Sequence, residues 1–390
     1  VSGSTGITIK APYKAVAAGG SHTLVRKADG TLASWGLNRS GQLGDGTSVD
    51  RVVPTAVSGA STVWSGIAAG DFHSLSIRTD GSLWAWGFNQ NGQLGDKTYV
   101  DKAIPTAVGT VKTWASVSAG KAHSIGVMKD GTLWAWGRNF DGQIGDATGA
   151  DKPAPVQVLM TPPSATSTTT TATAADKIWT AAWAGANFSI GRKTDSTLFS
   201  WGGNERGQLG RGDAATVATA SNTPTLVAPK PATATAATVA FKALTVSVGS
   251  YHVLAIRPDG ALFVWGANDQ GQLGDGTISD RSAATQVGTE TDWAAIAAGG
   301  LHSLAIKADG TLWTWGSNSD GQLGVGTTTD AWEPTQIGLS KDWVAISAGK
   351  AHSFGLKSDG TLWGWGRNAE GQLGNGAMTI KPVVVPTQLQ

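Results

Sequence analysis

One motif written seven times limits this chain more than any other property. From Trp343 to Gly374 it reads WVAISAGKAHSFGLKSDGTLWGWGRNAEGQLG, and the same order of Trp, Ala-Gly, His, Asp-Gly, Trp-Gly, Asn and Gly-Gln-Leu-Gly recurs along the sequence. The first copy starts at Tyr13, and the second runs from Trp64 through His73, Asp80-Gly81, Trp84 and Trp86 to Gly95, an offset of about fifty residues. Periods of that size belong to architectures in which each unit completes its core only against its neighbours. The fourth copy diverges: Phe188 stands where His is expected and Ser196 replaces the turn glycine.

Within one copy the strands can be read from alternation and punctuation. Val344–Ala348, small in its side chains, predicts a first strand where backbones crowd together. His352–Lys357 predicts a second, Asp359-Gly360 a hairpin turn, and Thr361–Trp365 a third. The Pro386-Thr387 segment is expected to begin a fourth strand at an edge, where proline's missing donor does no harm. Four antiparallel strands in seven copies define an all-β, seven-bladed β-propeller, one domain over residues 1–390. Gly6–Lys10 alternates as a short strand would, and residues 1–10 are expected to pair with the C-terminal end and close the ring. Two stretches rich in Thr, Ala and Pro, 161–175 and 230–239, flank the fourth copy and read as mobile loop insertions, since they hold little apolar surface to offset ordering.

These residues resemble the regulator of chromosome condensation repeat family, whose units share the AGxxHS, DGxLWxWGxNxxGQLG pattern seen from Ala348 to Gly374. The resemblance spans nearly the whole chain and implies a propeller that binds proteins by one face, here in a bacterial member. Relatives in that family include a nucleotide exchange factor, a plant photoreceptor and a β-lactamase inhibitor. The photoreceptor's Gly-Trp-Arg-His-Thr motif is absent: the matching segments, such as Gly70-Asp71-Phe72-His73-Ser74, carry neither its Trp nor its Arg. The sequence also has no basic arm of the kind that holds chromatin.

Bulk properties narrow the partners. The formal net charge of +1 supplies no field for nucleic acid or an anionic membrane. Cysteine is absent, which excludes disulfides, thiolate metal sites and Cys nucleophiles. No run approaches the roughly 18 apolar residues of a membrane span, so no membrane insertion is expected. A chain that begins with Val1 reads as a mature protein trimmed of a signal peptide, hence an expectation of a secreted or cell-surface location.

Candidate chemistry is sparse. His22, His73, His123, His252, His302 and His352 share one register, but one register on successive blades spreads its members around a ring, whereas metal ligands must converge. Buried imidazoles that brace turns are the expectation. The residue after each His is Ser or Thr in five copies and Val253 in the fifth repeat; neighbours along one strand face opposite ways, so no nucleophile–base pair forms within a copy. The paired tryptophans, such as Trp84 with Trp86 and Trp363 with Trp365, are expected in blade-to-blade packing rather than in a stacking platform. Asp45, Asp96, Asp146 and Asp275 follow the GQLG turn without calcium-loop spacing. Arg211-Gly212-Asp213 matches an adhesion tripeptide over three residues only. No catalytic residue, metal or cofactor is expected.

If the strands alternate, the AGxx turns and WGxNxx loops share one face, and the Asp-Gly turns and blade links share the other. On the first face the frame is constant and the tips vary: Phe72, Phe88, Phe140, Tyr251 and Leu301, interleaved with Arg39, Arg138, Lys350 and Arg367. Aromatic and arginine residues on loops are the usual anchors of protein interfaces. The expected function is therefore a non-enzymatic interaction propeller with a protein partner. A self-associating subunit of an extracellular assembly and a small-ligand binder using the central channel are the alternatives.

Overall fold

Why a repeat of this kind forms a closed ring is visible in how each copy pairs with itself. The computed structural model describes residues 13–59, 63–160, 178–212, 220–228 and 240–389. These contain seven four-stranded sheets, each antiparallel and each ordered as in the sequence, with no helix. Blade one comprises Tyr13–Ala18, His22–Lys27, Leu32–Gly36 and Arg51–Ala56; blade seven comprises Trp343–Ala348, His352–Lys357, Leu362–Asn368 and Thr379–Gln388. The predicted second strand of blade seven matches residue for residue. The fourth strand corrects the sequence reading: Pro386-Thr387 lies near its end, because pairing starts earlier, with Asn368 opposite Thr379.

The predicted hairpin turns are held by their aspartates. Asp359 Oδ1 accepts from Thr361 N at 2.9 Å and from Thr361 Oγ1 at 2.7 Å. In the fourth copy the turn keeps its geometry without glycine, since Ser196 adopts φ 67°, a strained conformation for a residue with a side chain.

The core lies between blades, as the tryptophans foretold. Trp64 packs edge-on against Trp84 with ring centroids 6.3 Å apart, and beside Trp86 at the same distance. That group shares a buried cluster with Leu24, Leu32 and Val57 of blade one. The indole N–H of Trp86 donates to the Gln42 carbonyl, in the GQLG loop of the preceding blade, at 3.0 Å. Gly44 in that loop has φ +70°, and a Cβ there would lie 2.7 Å from the Trp86 indole nitrogen, so the loop is a glycine-walled socket for the next blade's tryptophan. Trp136, Trp201, Trp265, Trp315, Trp365 and Trp35 repeat the bond into the loop before them.

The first strands line a central channel of about 390 Å³ with mostly small side chains, which fits the crowding predicted for them. At its mouth each blade's AGx turn donates a backbone N–H to the corresponding turn of the next: Gly20 to Gly70, Asp71 to Gly120, and onward to Lys350, which donates to Gly19 at 3.3 Å. The seam therefore shares the backbone belt and the tryptophan socket of the interior interfaces, though among the described residues His352 Nε2 has no hydrogen-bond partner there and Thr23 stands at the serine position. Among the described residues no strand is exchanged to close the ring. The expected closure by residues 1–10, and the insertions at 161–175 and 230–239, lie outside the described residues. The described chain resumes at Ile178, and the next residue, Trp179, donates its N–H to Gly131 O in an Asp-Gly turn, on the face opposite the channel-mouth turns.

Candidate functional site

Every tip named from the sequence falls on one face, and a repeated hydrogen bond puts it there. The first residue after each Trp-Gly donates its N–H to the residue before the histidine: Phe88 to Phe72 O at 2.9 Å, Arg138 to Ala122 O at 2.9 Å, Arg367 to Ala351 O at 2.9 Å. The AGxx turn and the WGxNxx loop of one blade are thus a single unit. Beneath the tip sits a buried asparagine. Asn139 Oδ1 accepts from Ile144 N at 3.0 Å while its Nδ2 donates to Asp146 Oδ1 and to the carbonyls of Thr148 and Ala150. A loop so thoroughly satisfied is a rigid mount for whatever its tip carries.

The post-GQLG aspartates belong to this mount. Asp45 meets Arg51 at 2.7 Å, Asp146 meets Lys152 at 2.9 Å and Asp275 meets Arg281 at 2.6 Å. Burial, the largest single effect, pushes their carboxyls up, but hydrogen bonds from Thr47, Thr148 and Thr277 and those cations together outweigh it and hold them below the ordinary range. Among the described residues no group of His, Asp or Glu converges as a metal site would. Arg211 forms an isolated bridge with Ala283, and Asp213 of the tripeptide lies outside the described residues.

The histidines do meet serines, across blades rather than within one. His73 Nε2 lies 2.9 Å from Ser124 Oγ, His22 Nε2 3.0 Å from Ser74 Oγ, and His302 Nε2 2.8 Å from Ser353 Oγ. Each serine hydroxyl donates its one proton to a Gln carbonyl, as Ser124 does to Gln93 O at 2.8 Å, so the imidazole must be the donor. All six imidazoles are fully buried, and burial pushes them down to about 4 in His22 and His252 and to about 3 in His73, His123, His302 and His352. A neutral, donating, inaccessible imidazole neither activates a hydroxyl nor reaches a substrate. These pairs hold blades together.

The tips gather unevenly. Phe72, 39% exposed, meets Phe88 edge-on with centroids 6.4 Å apart on blade two. On blade three Phe140 is 77% exposed, with the Arg138 guanidinium 5.7 Å from its ring centre. Arg39, exposed on blade one, sits in the loop that abuts blade two, where Gln42 Cα would lie 3.2 Å from a Cβ on Gly87. Tyr251, half-buried, and Leu301, 39% exposed, stand apart on blades five and six. Arg367 is engaged already, by Glu370 at 2.9 Å and Asp320 at 3.6 Å. Lys350 lines the channel mouth with Asp71 and Lys121, two residues the sequence reading did not select. The signal for Lys121 was present: Gly120-Lys121-Ala122-His123 repeats Gly349-Lys350-Ala351-His352.

Fold and tips together define a propeller with a rigid frame and a varied loop face. The chain belongs to the RCC1-like propeller family: an RCC1-like domain model matches residues 165–390, and models of the regulator of chromosome condensation (RCC1) repeat match residues 29–77, 80–127 and 130–182. It is 28% identical to the human E3 ubiquitin-protein ligase HERC2 over 273 residues, 68% of this chain but 4% of that protein. To the Arabidopsis thaliana ultraviolet-B receptor UVR8 it is 35% identical over 96 residues, 24% of this chain and 22% of that one. The chain thus spans a small part of the length of these curated relatives. Among solved structures, human WBSCR16 superposes with TM-score 0.76 at 21% identity, covering 91% of this chain and 92% of that one. Prp20p from Saccharomyces cerevisiae superposes with TM-score 0.74 at 19% identity, covering 97% and 87%.

Proposed function

We propose that this propeller is a non-enzymatic protein-binding module that engages a macromolecular partner through the face built by the AGxx turns and WGxNxx loops. The observation that carries this reading is the sector over blades two and three, where Phe72, Phe88, Arg138 and Phe140 project from loops locked by buried asparagines. Exposed aromatics beside arginine on a preorganised mount are what interface anchors require, because little ordering entropy remains to be lost on binding. The likeness to Prp20p supports it, since that protein is described by its binding to Gsp1p and histones. A secreted or cell-surface location is part of the proposal, and fractionation of the native source tests it.

Replacing Phe72, Phe140 and Tyr251 together by Ala tests the binding face. Capture of the native partner should weaken by at least about tenfold, the effect of losing one or two anchors worth 1–2 kcal/mol each, while the thermal midpoint stays near that of the parent. Undiminished capture would move the interaction to another surface.

A further inference from the structure

We propose that the partner presents an acidic segment bearing an aromatic or large aliphatic anchor, seated across the tips of blades one to three with its carboxylates toward the channel mouth. This rests on the protein-binding reading and adds the chemistry of what is bound.

The charges on the tip face divide by arc, although the chain as a whole is near neutral. On blades four to seven the arginines are consumed internally. Arg206 clasps Asp280 at 2.6 Å and Asp269 at 3.4 Å, and Arg367 is shared by Glu370 and Asp320. Arg39, Lys121, Arg138 and Lys350 take part in no ion pair among the described residues, and the first three lie on blades one and three. Lys121 and Lys350 reach the channel mouth, where Asp71 is the one carboxylate among its lining side chains. The tip acids Glu205, Asp269, Asp320 and Glu370 stand on blades four to seven, whereas on blades one to three Asp141, at the register of Asp320 and near Arg138, joins Asp71, so cations outnumber acids on that arc and not on the other.

Within the cationic arc lies the apolar floor. Phe72 and Phe88 form one edge-on pair, and the Arg138 guanidinium lies 5.7 Å from the Phe140 ring centre, so a cation and an apolar face are offered side by side. Unpaired cations bordering exposed aromatics complement a segment that alternates Asp or Glu with a bulky apolar residue. A basic partner meets like charge here. A nucleic acid backbone is matched poorly, because the cations form no continuous stripe: the rim of the same blades carries Asp50, Asp101 and Asp151, fixed in place as acceptors for the N–H groups of Asn38, Asn89 and Asn139.

The test is selection of a random short-peptide display library on the intact propeller, followed by affinity measurements on the enriched peptides. Enrichment of Asp and Glu together with Trp, Phe or Leu is expected. Affinity should fall at least about tenfold in Lys121→Glu/Lys350→Glu, the cost of setting like charges together, and similarly in Phe72→Ser/Phe140→Ser. All four positions are on the surface, and circular dichroism and a thermal melt confirm folding. Peptides that are basic or uncharged, peptides indifferent to the charge reversals, or no enrichment at all would overturn the proposal. A single-stranded oligonucleotide that binds more tightly than any selected peptide would overturn it in favour of nucleic acid. If the native partner is lost on the Phe72, Phe140 and Tyr251 replacements yet kept by the charge reversals, the binding face stands and the acidic chemistry falls.

Discussion

Phe188 of blade four and Val253 of blade five lie in one buried cluster, at the two positions that in five of the other interfaces hold a histidine and the serine it bonds. The divergent copy has lost donor and acceptor together, so neither is left unpaired. An apolar pair of matched shape replaces a buried hydrogen bond at little net cost, whereas losing one partner alone is expensive.

That asymmetry gives a first prediction. Phe188→His should destabilise by about 1–3 kcal/mol, because its Nε2 proton would face Val253 with no acceptor. Adding Val253→Ser should recover part of the loss in a double-mutant cycle followed by urea unfolding. Strictly additive effects would mean that the two positions do not form a unit.

The backbone belt at the channel mouth predicts intolerance of a single methyl group. A Cβ on Gly120 would lie 2.2 Å from Gly185 O and 2.7 Å from His123 Cε1. Gly120→Ala is expected to cost about 1–3 kcal/mol by forcing blades three and four apart. Gly149→Ala, whose nearest neighbour would be Asn139 O at 3.9 Å and whose φ is ordinary, should change stability by less than about 0.5 kcal/mol. Equal melting points for the two variants would contradict the belt.

The buried imidazoles set the response to acid. Their folded values lie at about 3 to 4, below 6.5 for an exposed histidine, so between those limits the unfolded chain binds protons that the folded chain does not. Stability from this source is fully present above pH 6.5 and falls as pH drops toward 4. Six such groups, at about 1.4 kcal/mol per pH unit each, should lower stability by on the order of 10 kcal/mol by about pH 5. The unfolding midpoint against pH measures this, and His302→Asn should flatten the curve; an unchanged slope would locate the sensitivity elsewhere.

Each blade is contiguous in sequence and the seam shares the tryptophan socket and backbone belt of the interior interfaces, lacking only the His–Ser bond, so a circular permutant should fold. Joining Gln390 to Val1 and opening the chain between Gly59 and Val63 moves the seam to the blade one–blade two interface, where Trp86 already enters the Gln42 loop as Trp35 enters the Gln372 loop. The permutant should keep its β-sheet circular dichroism and melt within a few degrees of the parent. Failure to fold would show that the order in which the blades follow one another along the chain matters.

Most of the blade was legible because the motif spells its own local structure. Asp359-Gly360 dictates a turn, His352–Lys357 alternates as a strand, and Trp363 with Trp365 at period two share a face. The tips of the AGxx/WGxNxx face were legible for the same reason, as the places where copies disagree. What escaped was any relation across an interface. The His73–Ser124 bond joins residues 51 apart that belong to different copies, and reading along one strand correctly denied a pair within a copy without revealing the pair between copies. Arg367 looked like an available anchor until Asp320 of the preceding blade and Glu370 enclosed it.

The sequence by itself determined the blade, its sevenfold recurrence and the face on which variation collects, because turn chemistry and alternation act over a few residues. Only the tertiary structure decided which polar groups are buried in partnership, which cations are already neutralised, and that Phe72, Phe88, Arg138 and Phe140 form one sector with Lys121 and Lys350 beside it. Those outcomes depend on which residues of successive blades come into contact. A local pattern does not encode that distance; ring closure sets it.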